Sequence, residues 1–340
     1  MTVELETLAE LEPALAADGF FERDENVARV YIGYGATDAL RRSDVPPPPE
    51  PCVLPAVAYT YESAYAAGAS FAIGEWEATW SEDAYADAID RVRAAIAEGD
   101  VYQVNLVQHL SAPFVGDPST LAHSLAPLRP LAPEPLTGDG WTIVSASPEL
   151  LLSRRGRMIR TSPIKGTRPA GVPVDSAKDA AEHMMIVDLE RNDLSRVAVP
   201  GSVRWPELLV ERELAGVTHL VSNVEAELRE DVSLTELLEA LLPGGSVTGC
   251  PKLAALDLIA ALEPVGRGAS MGALGRIHGN GDLELALTIR TFAVAGRRIH
   301  LWVGGGIVWD SEPAAEVEES WVKARPLLDA IGAPLHVGVA

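Results

Sequence analysis

Cysteine is almost missing from this chain: Cys52 and Cys250 are the only two in 340 residues. They lie far apart, and no histidine stands near either at metal-ligand spacing. That argues against a disulfide-stapled scaffold and a Cys/His zinc site, and a reduced, cytoplasmic protein is expected. Positive charge is scarce too. Twenty-seven Lys and Arg face 49 Asp and Glu, for a formal net charge of −22, which speaks against nucleic acid or an anionic membrane as partner. No apolar run approaches the ~20 residues needed to span a bilayer. The first residues, Met1-Thr2-Val3-Glu4-Leu5-Glu6, are acidic rather than basic, so no signal peptide is expected. There is no GxGxxG after a strand, no Walker loop and no repeat of fixed period.

What remains is an ordinary globular composition, 47% apolar and 22% charged, long enough for one large domain or two smaller ones. The charge poses a question. If the substrate is an anion, its site needs local positive charge from a metal or from a few Lys and Arg residues.

Local patterns predict mixed secondary structure. A strand is expected at 27–34, and the proline-rich stretch 46–51 can only be a loop. Ser81 is a good N-cap for an amphipathic helix with Tyr85, Ile89, Val92 and Ile96 on one stripe, ending at Gly99. Strands at 142–146, 150–153 and 157–161 follow, the last two as a hairpin. A long helix is expected from about Ser176 to Asp193. Later come strands at 202–204, 217–227, 271–278, 283–292 and 298–308, and helices at 233–242, 252–262 and 313–331. Asp310 or Ser311 is the expected cap of the last helix, with Pro313 in its first turn. Long strands in series with helices outside suggest an α+β fold on large antiparallel sheets.

Two helices carry acids at i,i+3: Asp179 with Glu182, and Glu316 with Glu319. Four carboxylates brought together would repel unless a cation sat among them, and oxygen-only ligands suit Mg²⁺. On spacing alone, solvated helix faces are the better explanation, since acids are mostly exposed. The run Gly304-Gly305-Gly306 lets backbone approach a ligand closely or makes a tight bend.

Several runs together resemble one family. They are Gly99-Asp100-Val101-Tyr102-Gln103-Val104-Asn105-Leu106, Ser145-Ala146-Ser147-Pro148-Glu149, Pro163-Ile164-Lys165-Gly166-Thr167, and the stretch from Glu182 to Leu194. Further on come Thr218-His219-Leu220, Pro243-Gly244-Gly245-Ser246-Val247-Thr248-Gly249-Cys250-Pro251-Lys252, Leu287-Thr288-Ile289-Arg290-Thr291 and the glycine–helix segment to Lys323. Their order and spacing are similar to the large subunits of anthranilate synthase and aminodeoxychorismate synthase, across residues 80–332. The resemblance implies a chorismate-binding α/β/β/α sandwich. A shortened N-terminal region, 1–78, would contribute to it, and 79–335 would be the catalytic region.

It also implies roles. Glu149 matches the general acid that protonates the departing C4 hydroxyl of chorismate, a task that needs a raised pKa. Asp179, Glu182, Glu316 and Glu319 match the positions around Mg²⁺, which would receive the ring carboxylate and so answer the charge question. Arg290 matches the partner of the enolpyruvyl carboxylate, and Gly304 and Gly306 match backbone donors to it. His219 matches a histidine near the ring carboxylate, although a lone strand histidine can equally be a core residue. Ser246 and Thr248 fall in a substrate-side loop. Lys252 and Lys323 match basic positions that could simply pair with a nearby acid.

Gln103 stands where water-adding relatives have a lysine base. Glutamine cannot serve as a base, which disfavours water addition. Lys165 stands where anthranilate synthases have a small residue. In aminodeoxychorismate synthases a lysine in this run attacks C2 before ammonia adds at C4. The implied reaction is Mg²⁺-dependent amination to 4-amino-4-deoxychorismate, with ammonia from a glutamine amidotransferase subunit. Anthranilate synthesis and non-catalytic chorismate or amidotransferase binding are the alternatives. The sequence departs from the pattern at Ser270, where a tyrosine is usual, and at Arg276, which replaces a common aromatic.

Overall fold

The computed structural model describes residues 1–61, 70–169, 177–214 and 217–333. Side chains at 167–169, 177–178, 214 and 217 are not described. Ser176 and the expected boundary at 335 also lie outside the described residues.

Local signals explain several elements. Ser81 accepts a hydrogen bond from the Ala84 amide at 3.2 Å and opens the helix Glu82–Glu98. Gly99 closes it in a left-handed conformation, φ +86°. Tyr85, Ile89 and Val92 are buried as their stripe requires. Ser233 and Glu236 form a capping box on the helix Leu234–Leu241.

Among the described residues there are two large, mostly antiparallel sheets. One has ten strands, in the order Val3–Leu5, Val57–Thr60, Val27–Ile32, Ala273–His278, Leu283–Leu287, Leu150–Arg155, Met158–Ser162, Val217–Glu227 and Ile164–Pro169, with Arg204–Leu214 also paired to Val217–Glu227. The other has eight, built around the long pair Gln103–Gly116 and Arg298–Ile307. The strands near the N-terminus therefore belong to the same sheet as the later ones. The largest apolar cluster joins the sheets, with Val30, Ile32 and Leu285 from one and Val107, Ile143 and Trp302 from the other. The helices Glu82–Glu98, Lys252–Leu262 and Pro313–Ala330 pack outside the eight-stranded sheet. Leu234–Leu241 and Ala177–Ser195 pack with the ten-stranded one. This is an α+β fold with helix, sheet, sheet and helix layers.

Two expectations need correction. The continuous strand at 283–292 is two strands. Leu283–Leu287 lies in the ten-stranded sheet and Thr291–Ala295 in the eight-stranded one. The apolar run is buried in both, so periodicity could not show the break. The last helix is preceded by Glu312, with no side-chain cap. Ser311 instead accepts from the Val308 amide at 3.0 Å, closing the turn before the helix.

Candidate active site

The chain changes sheets twice in one place. Residues 146–149 carry it from Trp141–Ser145 to Leu150–Arg155, and residues 288–290 carry it from Leu283–Leu287 to Thr291–Ala295. The two crossovers run side by side. The Ala146 amide donates to the Arg290 carbonyl at 2.9 Å, and the Leu287 amide donates to the Glu149 backbone carbonyl at 3.0 Å. Two polar side chains are thereby delivered to one spot: Glu149 from the first crossover and Arg290 from the second.

Both line a cavity of about 440 Å³. Lys165, His219, Ser246, Gly304, Gly306, Lys323 and the four acids Asp179, Glu182, Glu316 and Glu319 line it too. Met271 and Arg290, on neighbouring walls, are non-glycine residues with positive φ, +65° and +50°. Such backbone is costly and tends to sit where a ligand is gripped.

Glu149 is 4% exposed, and burial pushes its carboxyl up to about 7. The Ser246 hydroxyl donates to it at 2.6 Å, and the charges of Lys165 and Arg290 pull the other way without winning. At neutral pH this group can hold a proton and release it, as a general acid must.

Lys165 leaves the strand Ile164–Pro169 just before a register shift, with Gly166 at φ +67°. Burial lowers the Lys165 ammonium pKa, and Glu182 opposes that while Lys323 adds to it. A lowered pKa increases the neutral, nucleophilic fraction of an amine. A side chain on Gly306 would put its Cβ 3.1 Å from Lys165 Nζ and 2.3 Å from Gln103 Nε2, so the glycine makes room for both.

His219 is 1% exposed, and burial keeps its imidazole neutral by lowering its pKa to about 4. Its Nδ1 lies 2.5 Å from the Gly166 carbonyl. A carbonyl only accepts, so Nδ1 carries the proton and Nε2 is an acceptor. Arg290 Nη2 lies 3.4 Å from that Nε2. His219 therefore braces the arginine.

Lys323 reaches the Gly304 carbonyl at 2.9 Å and Glu319 at 2.7 Å. Lys252 lies apart from the cavity, paired with Asp193 at 2.6 Å. Thr248 and Gln103 are fully buried and do not form the cavity wall. The Thr248 hydroxyl donates to the Gly244 carbonyl at 2.9 Å. Gln103 stands behind Gly306, and among the described residues neither of its amide atoms has a hydrogen-bond partner. Ser270 donates to the Thr288 carbonyl at 3.2 Å and serves the crossover rather than the cavity. Arg276 faces outward and pairs with Glu134.

Sequence reading gave no role to Asn105, Ile164, Met271, Ile289, Trp302 and Val303, which also line the cavity. Met271 carried no signal, because nothing in a methionine announces a left-handed backbone. Arg267 was missed as well. It is 1% exposed, pairs with Glu263 at 2.6 Å and donates to the Val247 and Asn105 carbonyls, each at 2.7 Å. It thus ties two parts of the cavity wall together.

Comparison with known proteins agrees with this geometry. The family described as chorismate binding enzyme matches residues 54–329. Anthranilate synthase component 1 of Thermus thermophilus is 41% identical over 271 residues, which is 75% of this chain and 58% of that protein. Aminodeoxychorismate synthase component 1 of Bacillus subtilis is 37% identical over 266 residues, 74% of this chain and 56% of that protein. The matched part thus spans a little over half the length of these relatives. Among solved structures, anthranilate synthase component I from Streptococcus pneumoniae superposes with a TM-score of 0.80 at 24% identity, covering 91% of this chain and 84% of that one. Taken with the fold and the cavity, the match over most of the chain places this protein in the chorismate binding enzyme family.

Proposed function

We propose that this chain aminates chorismate to 4-amino-4-deoxychorismate, using ammonia supplied by a separate glutamine amidotransferase subunit. One observation carries the choice: Lys165 lines the same cavity as Glu149 and has a lowered pKa. The sequence relatives named aminodeoxychorismate synthase component 1 support it.

In this reading the Lys165 amine attacks C2 of the ring. Glu149 gives its proton to the C4 hydroxyl, which leaves as water. Ammonia then adds at C4 and Lys165 is expelled. Arg290, steadied by His219, holds one substrate carboxylate through its planar fork. Gly304 and Gly306 keep that wall low enough for the substrate to lie against the backbone.

Mg²⁺ fits the donor chemistry of the opposite wall. Asp179 and Glu182 on one helix and Glu316 and Glu319 on another offer only hard oxygens. Among the described residues no three His, Cys, Asp or Glu groups form a ready-made cage. When bound, the ion would neutralise the ring carboxylate in a chain of net charge −22.

The test is mass spectrometry of the protein incubated with chorismate and Mg²⁺ but no ammonia. The expected result is an adduct on Lys165 equal to chorismate less one water, absent from Lys165→Ala. No adduct, together with unchanged turnover of Lys165→Ala, would remove the covalent role. Anthranilate synthesis is the second reading, favoured by the 41% identity to the Thermus thermophilus protein. Fluorescent anthranilate formed directly from chorismate and ammonium would establish it instead.

A further inference from the structure

One buried polar side chain beside the cavity has no part in the reaction as written. Gln103, on the strand Gln103–Gly116, is fully buried, and among the described residues neither Nε2 nor Oε1 has a hydrogen-bond partner. A buried carboxamide without partners is costly, and each such group calls for an explanation. Asn105 stands two residues on and so on the same face of the strand. It does not relieve Gln103, because its own Nδ2 is unpaired among the described residues.

The geometry at Gly306 shows what the carboxamide faces. Gly306 lies opposite Asn105 on the neighbouring strand and lines the main cavity, as Lys165 does. A Cβ on Gly306 would stand 2.3 Å from Gln103 Nε2, 3.1 Å from Gln103 Cδ and 3.1 Å from Lys165 Nζ. Apart from the glycine's own chain neighbours, these are the nearest atoms to that point. The missing side chain therefore leaves a notch, with the carboxamide on one side and the amine on the other. Nε2 is the nearer amide atom. The terminal torsion of glutamine is broad and nearly two-fold, so a half-turn brings Oε1 to the same place with little change of shape.

Lys165 reaches the notch on a flexible four-carbon stem. A nucleophile on such a stem must be aimed as well as deprotonated. An amide oxygen accepts an N–H and carries no net charge. A carboxylate in its place would favour the ammonium form, and an apolar group would leave the N–H unpaired.

We infer that Gln103 is a positioning residue for Lys165: its Oε1 accepts an N–H of the amine across the notch at Gly306 and turns the nitrogen lone pair towards the main cavity. This rests on the reading of Lys165 as nucleophile. Gln103 does not form the cavity wall and acts through Lys165.

The test is the rate of adduct formation on Lys165, followed by mass spectrometry after rapid quenching, with chorismate and Mg²⁺ but no ammonia. Gln103→Met fills similar space and offers no oxygen. Its labelling rate at saturating chorismate should fall on the order of tenfold, while the half-saturating concentration stays at the wild-type value. Gly306→Ala fills the notch and should slow labelling as well. Because both changes act on one contact, the double variant should be no slower than the slower single variant, rather than slowed by the product of the two losses. Wild-type labelling of Gln103→Met would overturn the inference. So would losses that multiply in the double variant, or a Gln103→Met defect confined to the half-saturating concentration, which marks a role in shaping the cavity. Absence of an adduct from the wild type is a separate outcome: it removes the reading of Lys165 itself, and the inference with it.

Discussion

Glu149 sits between opposing influences. Burial raises its pKa, while Ser246, Lys165 and Arg290 lower it, and burial wins. Acid catalysis needs the protonated form, so kcat should fall as pH rises through about 7. Glu149→Gln should cost a factor of ~10²–10⁴ in kcat and remove that limb of the pH profile. A profile unchanged in the variant would assign the titration elsewhere. Arg267 is a different kind of residue, working on stability. It and Glu263 are 1% and 2% exposed. Glu263→Ala leaves a buried guanidinium without its carboxylate, and urea denaturation should show a loss of about 3–5 kcal/mol.

Glycines on one strand have separable jobs. In Arg298–Ile307, a Cβ on Gly304 would come 2.0 Å from the Leu106 carbonyl, a backbone atom that cannot step aside. Gly304→Ala should therefore lower the melting temperature clearly. At Gly306 the obstacle is the side-chain amide of Gln103, with Lys165 next to it. Gly306→Ala should keep near-native circular dichroism but slow chorismate labelling of Lys165. Equal melting temperatures for the two variants would contradict this division. The strand itself was readable, and so was the helix from Ser81, because the cap, the apolar stripe and the closing Gly99 all agree. The acid-bearing helices were readable from their spacing. The break after Leu287 was not, since Leu285, Leu287, Thr291 and Phe292 are all buried and differ only in the sheet they join.

For the molecule as a whole, pH acts also through the space between the sheets. His109 and His300 lie there, 3.0 Å apart through Nε2 and Nδ1, beside Trp302. Burial lowers their pKa values from 6.5 to about 3 and about 4. The unfolded chain takes up these protons first, so what the pair contributes is complete above pH 6.5 and declines as pH falls toward about 4. The stability advantage of wild type over His109→Gln should therefore narrow across that interval in denaturant titrations. An advantage constant with pH would show that the pair does not titrate on unfolding.

The paired crossovers have a further consequence. Thr288 bonds to both Met271 and Gly272, while Arg290 bonds to Ala146. These bonds extend the pairing of each sheet up to the crossovers, where the backbone itself joins the two sheets at the place where a carboxylate would be held. Hydrogen exchange at the amides of Ala146, Met271, Gly272 and Thr288 should then slow as one unit when chorismate binds, although those residues flank strands of different sheets. The seam of the sandwich would act as a latch, and occupancy of the cavity would be felt as mechanical closure between the two sheets.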